Sequence, residues 1–202
     1  MRFEERHRLL DPGYLNPETG FELFPDGGMH VAVLTRMPGC KGHMLDWWFG
    51  WCGDTEKYKL WHPKDHLIGD WDDKWRPGHY IGASHLVQER MGAHVVNLKI
   101  TFKDPSVYFD TSRFHEANVG AVICGETRIQ GEDRLRSHLV HFVRDTDFGC
   151  EMRSNFWRMS GDERAALANL THCYEEMGHL ADILPDLHRK ETGRRLPDHC
   201  SA

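Results

Sequence analysis

A long strand-rich stretch followed by one helical segment constrains the fold of this chain more than any other feature. Six candidate strands lie between residues 80 and 159, separated by glycine, Asp-Pro and Gly-Glu-Asp sequences that are typical of turns. Because the links are short, we expect neighbouring strands to pair antiparallel as a meander. The candidate strands are residues 80–90, 94–103, 106–110, 119–129, 137–145 and 149–159.

The segment after these strands predicts a long C-terminal helix. Ser160 is the expected N-cap, with Glu163 at the spacing of a capping box. Apolar residues recur at helical spacing from Leu167 to Leu184, and we expect Pro185 to end the helix. A curved antiparallel sheet around such a helix is an α+β helix-grip architecture, whose internal cavity suits a medium-sized apolar or aromatic ligand.

The remaining sequence divides the chain into three regions. Residues 1–28 are rich in turn signals and predict an irregular N-terminal arm, residues 29–188 form the domain, and residues 189–202 predict a polar tail. Within the domain, Met29–Met37 predicts a first strand and Met44–Trp51 a short helix with inward aromatic residues.

Composition excludes several classes of protein. The net charge of −6 gives no electrostatic reason to expect nucleic acid or an anionic membrane as a partner. No apolar run approaches the ~18 residues of a membrane span, and the N-terminus lacks the apolar core of a signal peptide. The six cysteines include no C-x-x-C pair, so we expect free thiols in a reducing compartment and a cytoplasmic location.

One pair of residues in the predicted helix indicates a metal site. His172 and Glu176 are four residues apart and therefore share one helix face. An imidazole and a carboxylate together suit a divalent metal such as zinc, and a site without thiolates favours a catalytic role. The alternative is a solvated helix face. The 15 histidines and 7 tryptophans of the chain are compatible with a metal site inside an aromatic cavity.

Five short sequence motifs occur in an order that resembles a known family. They are WHPKDH at residues 61–66, HLVQE at 85–89, HLVH at 138–141, GCEMRSNFW at 149–157, and the helix from His172 to Pro185. Together they resemble the 2,4-diacetylphloroglucinol hydrolase family, which includes phloretin-hydrolase-like enzymes. The resemblance covers most of residues 30–188.

The resemblance implies both a fold and a reaction. The fold is a Bet v 1-like helix-grip domain, and the activity is zinc-dependent hydrolysis of the carbon–carbon bond between an acyl group and a phenolic ring. The expected partner is a small aromatic ketone. Known members carry an additional N-terminal segment that aids dimerisation, so the resemblance leaves a homodimer open.

The resemblance also extends the ligand set. His62 is carried over as the third metal ligand, and Pro63 restricts its backbone to extended geometry. His66 is the competing candidate, and we prefer His62. Glu89 is the family-like fourth ligand, and strand alternation places it on one face with His85.

Expulsion of a ring carbon also requires a proton on that carbon, and a metal must polarise the acyl carbonyl or supply hydroxide. Asp70 matches an acidic position of the family and is the first proton-transfer candidate, and His141, on a strand facing the helix, is the second. Tyr58 and Asp65 flank His62 and are candidates for hydrogen bonds to ring hydroxyls. Some family members have an amide at the position of Asp65.

Two other functions remain compatible with the sequence. One is a helix-grip protein that binds an aromatic or lipid ligand without chemistry, and the other is a metal-free polyketide cyclase or dehydratase that uses histidine and aspartate. The metal content of the purified protein distinguishes both from a zinc hydrolase.

Overall fold

An eight-stranded antiparallel sheet wraps around the long C-terminal helix in the computed structural model, which describes residues 1–193. The strands are β1 (Gly20–Leu23), β2 (Met29–Pro38), β3 (His66–Trp71), β4 (Ser84–Met91), β5 (His94–Lys103), β6 (Val119–Ile129), β7 (Ser137–Thr146) and β8 (Gly149–Arg158). The helices are α1 (Gly42–Trp51), α2 (Thr55–Trp61) and α3 (Glu163–Thr192). The strands lie in the order β1-β2-β8-β7-β6-β5-β4-β3, and α3 contacts β2 near one edge of the sheet and β4 near the other. The predicted α+β helix-grip architecture is therefore confirmed.

One predicted strand is wrong. Residues 106–110 lie in a connection that contains two 3-10 turns, Pro105–Val107 and Thr111–Arg113. The side chain of Asp104 accepts a hydrogen bond from the Ser106 amide at 2.9 Å, and Asp110 repeats this with Ser112 at 3.1 Å. Such side-chain bonds favour turns because they satisfy the backbone locally, without a neighbouring strand.

The helix α3 begins later than its sequence suggests. Its N-cap is Asp162, whose side chain accepts a hydrogen bond from the Ala165 amide at 2.8 Å, whereas the predicted cap, Ser160, lies outside the helix. Aspartate and serine cap helices equally well, so the pattern alone did not distinguish the two positions.

Pro185 lies inside α3 and does not end it. A proline removes the amide hydrogen that would bond to the carbonyl four residues earlier, here that of Ala181. The Cys40 thiol donates to this carbonyl at 3.7 Å, so the carbonyl is not left unpaired. The helix continues to Thr192, and Gly193 ends it in the left-handed conformation.

The N-terminal arm is more regular than predicted. It contains a 3-10 helix, Phe3–Leu10, and strand β1, and it covers an apolar cluster on the outer face of the sheet. An ion pair of 2.6 Å between Glu18 of the arm and the buried Arg153 of β8 fixes its position. The arm therefore packs against the outer face of the sheet.

The segment that contains WHPKDH adopts regular structure that the pattern did not indicate. Asp54 caps α2 by accepting a hydrogen bond from the Lys57 amide at 2.9 Å, and β3 begins at the last residue of the motif. A Cβ on residue 69 would lie 2.6 Å from the Tyr58 ring, so only a glycine at this position of β3 permits the ring to pack over the strand. Helix and strand thereby hold Tyr58 and His66 next to each other.

The five cysteines of residues 1–193 are free and buried, as predicted, while Cys200 and the rest of the predicted tail after Gly193 lie outside the described residues. Among the described helices, none has the length and apolar character needed to cross a bilayer. The cytoplasmic location stays a prediction.

Candidate active site

Two antiparallel strands and α3 bring four potential metal ligands together. His66 opens β3 and is the direct cross-strand partner of Glu89 in β4, which places their Cβ atoms close together. The helix contributes His172 and Glu176 from successive turns of one face. All four side chains are buried.

The ligand atoms of His66, Glu89 and His172 lie close enough together to hold a cation, and Glu176 lies beside them. His66 Nε2 lies 3.3 Å from Glu176 Oε2, and His172 Nε2 lies 3.8 Å from the same oxygen and 3.9 Å from Glu89 Oε2. Neither Nε2 atom has a hydrogen-bond partner within the described chain, although both are buried. Buried polar atoms without partners are costly. A divalent cation would satisfy all four groups, because two imidazoles and two carboxylates are a donor set suited to zinc.

The ionisation of these groups is compatible with cation binding. Burial raises the pKa of Glu176 to about 8, although the neighbouring His172 acts in the opposite direction. Burial also lowers the pKa of His66. Without a metal, Glu176 therefore keeps a proton at neutral pH while His66 is neutral. A bound cation would take the place of that proton.

Tyr58 orients two of the four groups. Its backbone carbonyl accepts a hydrogen bond from His66 Nδ1 at 3.1 Å, so the Nε2 lone pair of His66 points toward the carboxylates. The two rings stack with centroids 3.9 Å apart and an interplanar angle of 6°. The Tyr58 hydroxyl donates to Glu89 Oε1, and burial holds its pKa well above the usual range. Such contacts fix the tautomer and orientation of metal ligands.

His62, the preferred third ligand, faces a different set of groups. The Asp65 amide donates to His62 Nδ1 at 3.2 Å, so the proton of the neutral ring lies on Nε2. That nitrogen lies 3.4 Å from Glu175 and 3.7 Å from the Asp65 carboxylate. The structure thus brings His66, rather than His62, to the two buried glutamates.

The Asp65 side chain is not part of the cavity wall, so it is not in a position to contact a ligand in the cavity. Its Oδ2 is 3.8 Å from His172 Nδ1, on the opposite edge of the ring from Glu89, and Arg90 approaches Oδ1 at 3.8 Å. His62, Asp65 and His172 are also close enough together to hold a cation. His62 Nε2 and His172 Nδ1 are also buried without a hydrogen-bond partner in the described chain, and the Asp65 carboxylate lies close enough to both rings to influence their orientation electrostatically.

The inner site opens into an elongated cavity of about 220 Å³. A cavity of ~150 Å³ holds benzene, so this one accommodates a substituted aromatic ring. Tyr58, Glu89, His172 and Glu176 lie in its wall. Its apolar lining consists of Phe49, Trp61, Met91, Val96, Leu98, Ile100, Phe102, Ile129, Leu139 and Phe156.

The two proton-transfer candidates lie in different places. His141 lines the cavity, its Nδ1 is 2.8 Å from Ser154 Oγ, and burial lowers its pKa to about 4, so the ring is neutral at physiological pH. Asp70 is exposed on β3 and is not part of the cavity wall. Gly69 is the inward-facing residue there, so strand alternation turns Asp70 toward solvent.

Three further residues of the cavity wall received no role from the sequence. His85 lies four residues before Glu89 on the same strand face, and burial lowers its pKa to about 3. The alternation of β4 predicts this position. Arg136 and Arg158 line another part of the wall, and nothing in their local sequence distinguishes them from surface arginines.

Comparison with solved structures defines the class of fold. Ginseng major latex-like protein 151 superposes with a TM-score of 0.54 at 9% identity, covering 78% of this chain and 98% of that protein. Ara h 8.0201 superposes with a TM-score of 0.51 at 8% identity, covering 79% of this chain and 99% of that protein. The fold is therefore Bet v 1-like, with a buried imidazole–carboxylate cluster at its cavity.

Sequence comparison defines the family. The family model "DAPG hydrolase PhiG domain" matches residues 1–163, and the chain belongs to this family. A 2,4-diacetylphloroglucinol hydrolase of Pseudomonas protegens is 27% identical, covering 93% of this chain and 73% of that protein. A phloretin hydrolase of Eubacterium ramulus is 28% identical, covering 94% of this chain and 78% of that protein.

Proposed function

We propose that this protein is a zinc-dependent hydrolase that cleaves the carbon–carbon bond between an acyl group and a phloroglucinol-type ring. Membership in the family and the names of its relatives support hydrolysis of an acylated phenol. The apolar, aromatic cavity of about 220 Å³ supports a substrate with a single phenolic ring.

We propose His66, Glu89, His172 and Glu176 as the residues that hold the zinc ion. The observation that carries this proposal is the convergence of two buried, unpartnered imidazole nitrogens on two buried carboxylates at the cavity wall. The chemistry that a divalent ion supplies is Lewis acidity toward an acyl carbonyl and toward water at neutral pH. The ligand set differs from the sequence expectation in one position, with His66 in place of His62.

The residues of the chain then have separate tasks. The aromatic walls bind the ring and exclude bulk water, and the Tyr58 hydroxyl and the neutral His141 imidazole are available for hydrogen bonds to ring hydroxyls. In the reaction, the phenol tautomerises to a ring ketone with a proton on the acylated carbon. Water adds to the acyl carbonyl, and the carbon–carbon bond breaks with its electron pair going to the ring as an enolate. The products are a carboxylic acid and the deacylated phenol, and His141 is our candidate for the proton transfers.

A comparison of alanine variants tests the ligand set. His66→Ala should lose bound zinc and all activity, because it removes one of four ligands. His62→Ala should retain most of the zinc, because its Nε2 faces Asp65 and Glu175. Elemental analysis of protein purified without chelator measures both, with circular dichroism as the control for folding. Zinc loss in His62→Ala with zinc retained in His66→Ala would refute the assignment.

The products identify the bond that breaks. Cleavage of an acylphloroglucinol in heavy water should give the free acid and a ring that carries deuterium at the former acyl position, which mass spectrometry detects. Cleavage of aryl acetates alone, without deuterium on the ring, would instead identify an esterase. Binding of the phenol without any turnover, in protein with its metal, would favour the helix-grip binding protein.

A further inference from the structure

Two arginines lie together in the cavity wall, away from the candidate metal ligands. Arg136 immediately precedes β7, and Arg158 is the last residue of β8. Ser137, which follows Arg136, is the cross-strand partner of Arg158. Both arginines line the cavity and are only half-buried. The register of β7 and β8 therefore places two guanidinium groups at one end of a largely apolar cavity.

These guanidinium groups lack partners. Within residues 1–193, neither side chain forms a hydrogen bond or an ion pair, in contrast to the paired Arg128, Arg144 and Arg153. Burial and the nearby Arg136 lower the pKa of Arg158, against a weaker effect of Asp162, although arginine stays cationic. Two like charges at a partly buried cavity end are unfavourable without an anion between them.

The two arginines mark the outer end of the cavity. Asn169 and Arg158 line both the cavity and a surface depression between the β4–β5 hairpin and the start of α3. Along α3, the rise from Asn169 is about 4.5 Å to His172 and about 10 Å to Glu176, which separates this end from the candidate metal ligands. The aromatic residues Phe49 and Trp61 lie at the metal end. A bound phenolic ring at the aromatic end would thus direct its acyl chain toward the arginines.

We propose that Arg136 and Arg158 form an anion subsite that binds a carboxylate at the far end of the acyl chain of the substrate. This inference rests on the proposed function and narrows its substrate class to phenols with ω-carboxyacyl chains. Guanidinium groups suit this ligand because they bind carboxylates through paired, charge-assisted hydrogen bonds.

A pair of matched substrates tests the subsite. An ω-carboxyacyl phloroglucinol and its primary amide have nearly the same shape and differ in charge. The wild-type kcat/KM should favour the acid by about tenfold or more, as expected for hydrogen bonds to a charged group. In Arg158→Gln and Arg136→Gln this ratio should fall toward one, while Arg158→Lys should restore part of it. Arg134→Gln is the matched control, because Arg134 is exposed two residues before Arg136 and should keep the wild-type ratio.

Binding to the metal-free protein separates the subsite from the proposed reaction. Calorimetry with an ω-phenylalkanoate and its amide should show tighter binding of the acid to the wild type and equal binding to Arg158→Gln. If no C-acyl phenol is cleaved but this arginine-dependent preference persists, the reaction assignment fails and the subsite is supported. Equal binding of acid and amide to the wild type, or an undiminished preference in both glutamine variants, would overturn the subsite.

Discussion

Removal of the metal should make the stability of this protein depend on pH in a direction that Glu176 determines. Burial raises the pKa of this carboxyl from 4.5 to about 8 in the folded metal-free chain. Between these values, the folded state holds a proton that the unfolded state has released. The free energy of unfolding therefore falls as pH rises through this range, and the fall ends above pH 8.

The size of this effect is measurable between pH 7 and pH 8. For a folded pKa of about 8, the linkage relation gives a loss of about 1 kcal/mol over this interval. Burial also lowers the pKa of six histidines, and each contributes about 0.1 kcal/mol of the opposite slope as the unfolded state loses its last imidazole protons. They are His30, His62, His66, His85, His138 and His141. The five buried thiols contribute about the same amount each in the direction of Glu176, so a comparison with Glu176→Gln is needed to isolate the contribution of the carboxyl.

Urea denaturation at pH 7.0, 7.5 and 8.0 measures this slope in metal-free and zinc-loaded protein. Zinc should abolish the slope because the cation, rather than a proton, then neutralises Glu176. In the metal-free protein, the wild type should lose about 1 kcal/mol more than Glu176→Gln between pH 7 and pH 8, whereas Glu175→Gln, at the exposed neighbouring position, should keep the wild-type slope. Equal slopes in the metal-free wild type and Glu176→Gln would refute the reasoning.

Three other predictions concern the groups around the site. Asp65→Asn should weaken zinc binding by about 10–100-fold in a chelator competition, because it removes the carboxylate that faces His172 Nδ1; unchanged affinity would mean that Asp65 does not orient His172. His141→Ala should keep its zinc but lose turnover by ~10²–10⁴-fold in a product assay, the usual contribution of an acid–base group. Asp70→Asn, on the outer face of β3, should keep both zinc and turnover. A loss of turnover in this variant would instead indicate that Asp70 takes part in the reaction.

The sequence predicted the sheet and α3 because their signals are periodic and local. Five of the six candidate strands between residues 80 and 159 are present, with differences at their ends. The candidate strand at residues 106–110 is absent because the side chains of Asp104 and Asp110 form local turns there. The expectation that Pro185 ends the helix was also wrong. The Cys40 thiol that bonds to the Ala181 carbonyl lies far from the helix in sequence, so the pattern did not indicate this contact.

The choice between His62 and His66 could not be made from their spacing. Both lie in the same six-residue motif, and either histidine forms a plausible set with His172 and Glu176. The difference arises from hydrogen bonds: the Asp65 amide places the proton of His62 on Nε2, whereas the Tyr58 carbonyl frees Nε2 of His66. Both bonds depend on how α2 ends and β3 begins, which the pattern did not indicate.

The placement of Asp70 shows why a matching residue type is not enough to assign a role. In β3, a shift of one position exchanges the cavity face for the solvent face. The close approach of Tyr58 to Gly69 determines which face is which, since no larger side chain fits beneath the ring. The same packing places the Tyr58 carbonyl against His66 and the Tyr58 hydroxyl against Glu89. The contact that excludes Asp70 from the cavity therefore also orients two of the proposed zinc ligands.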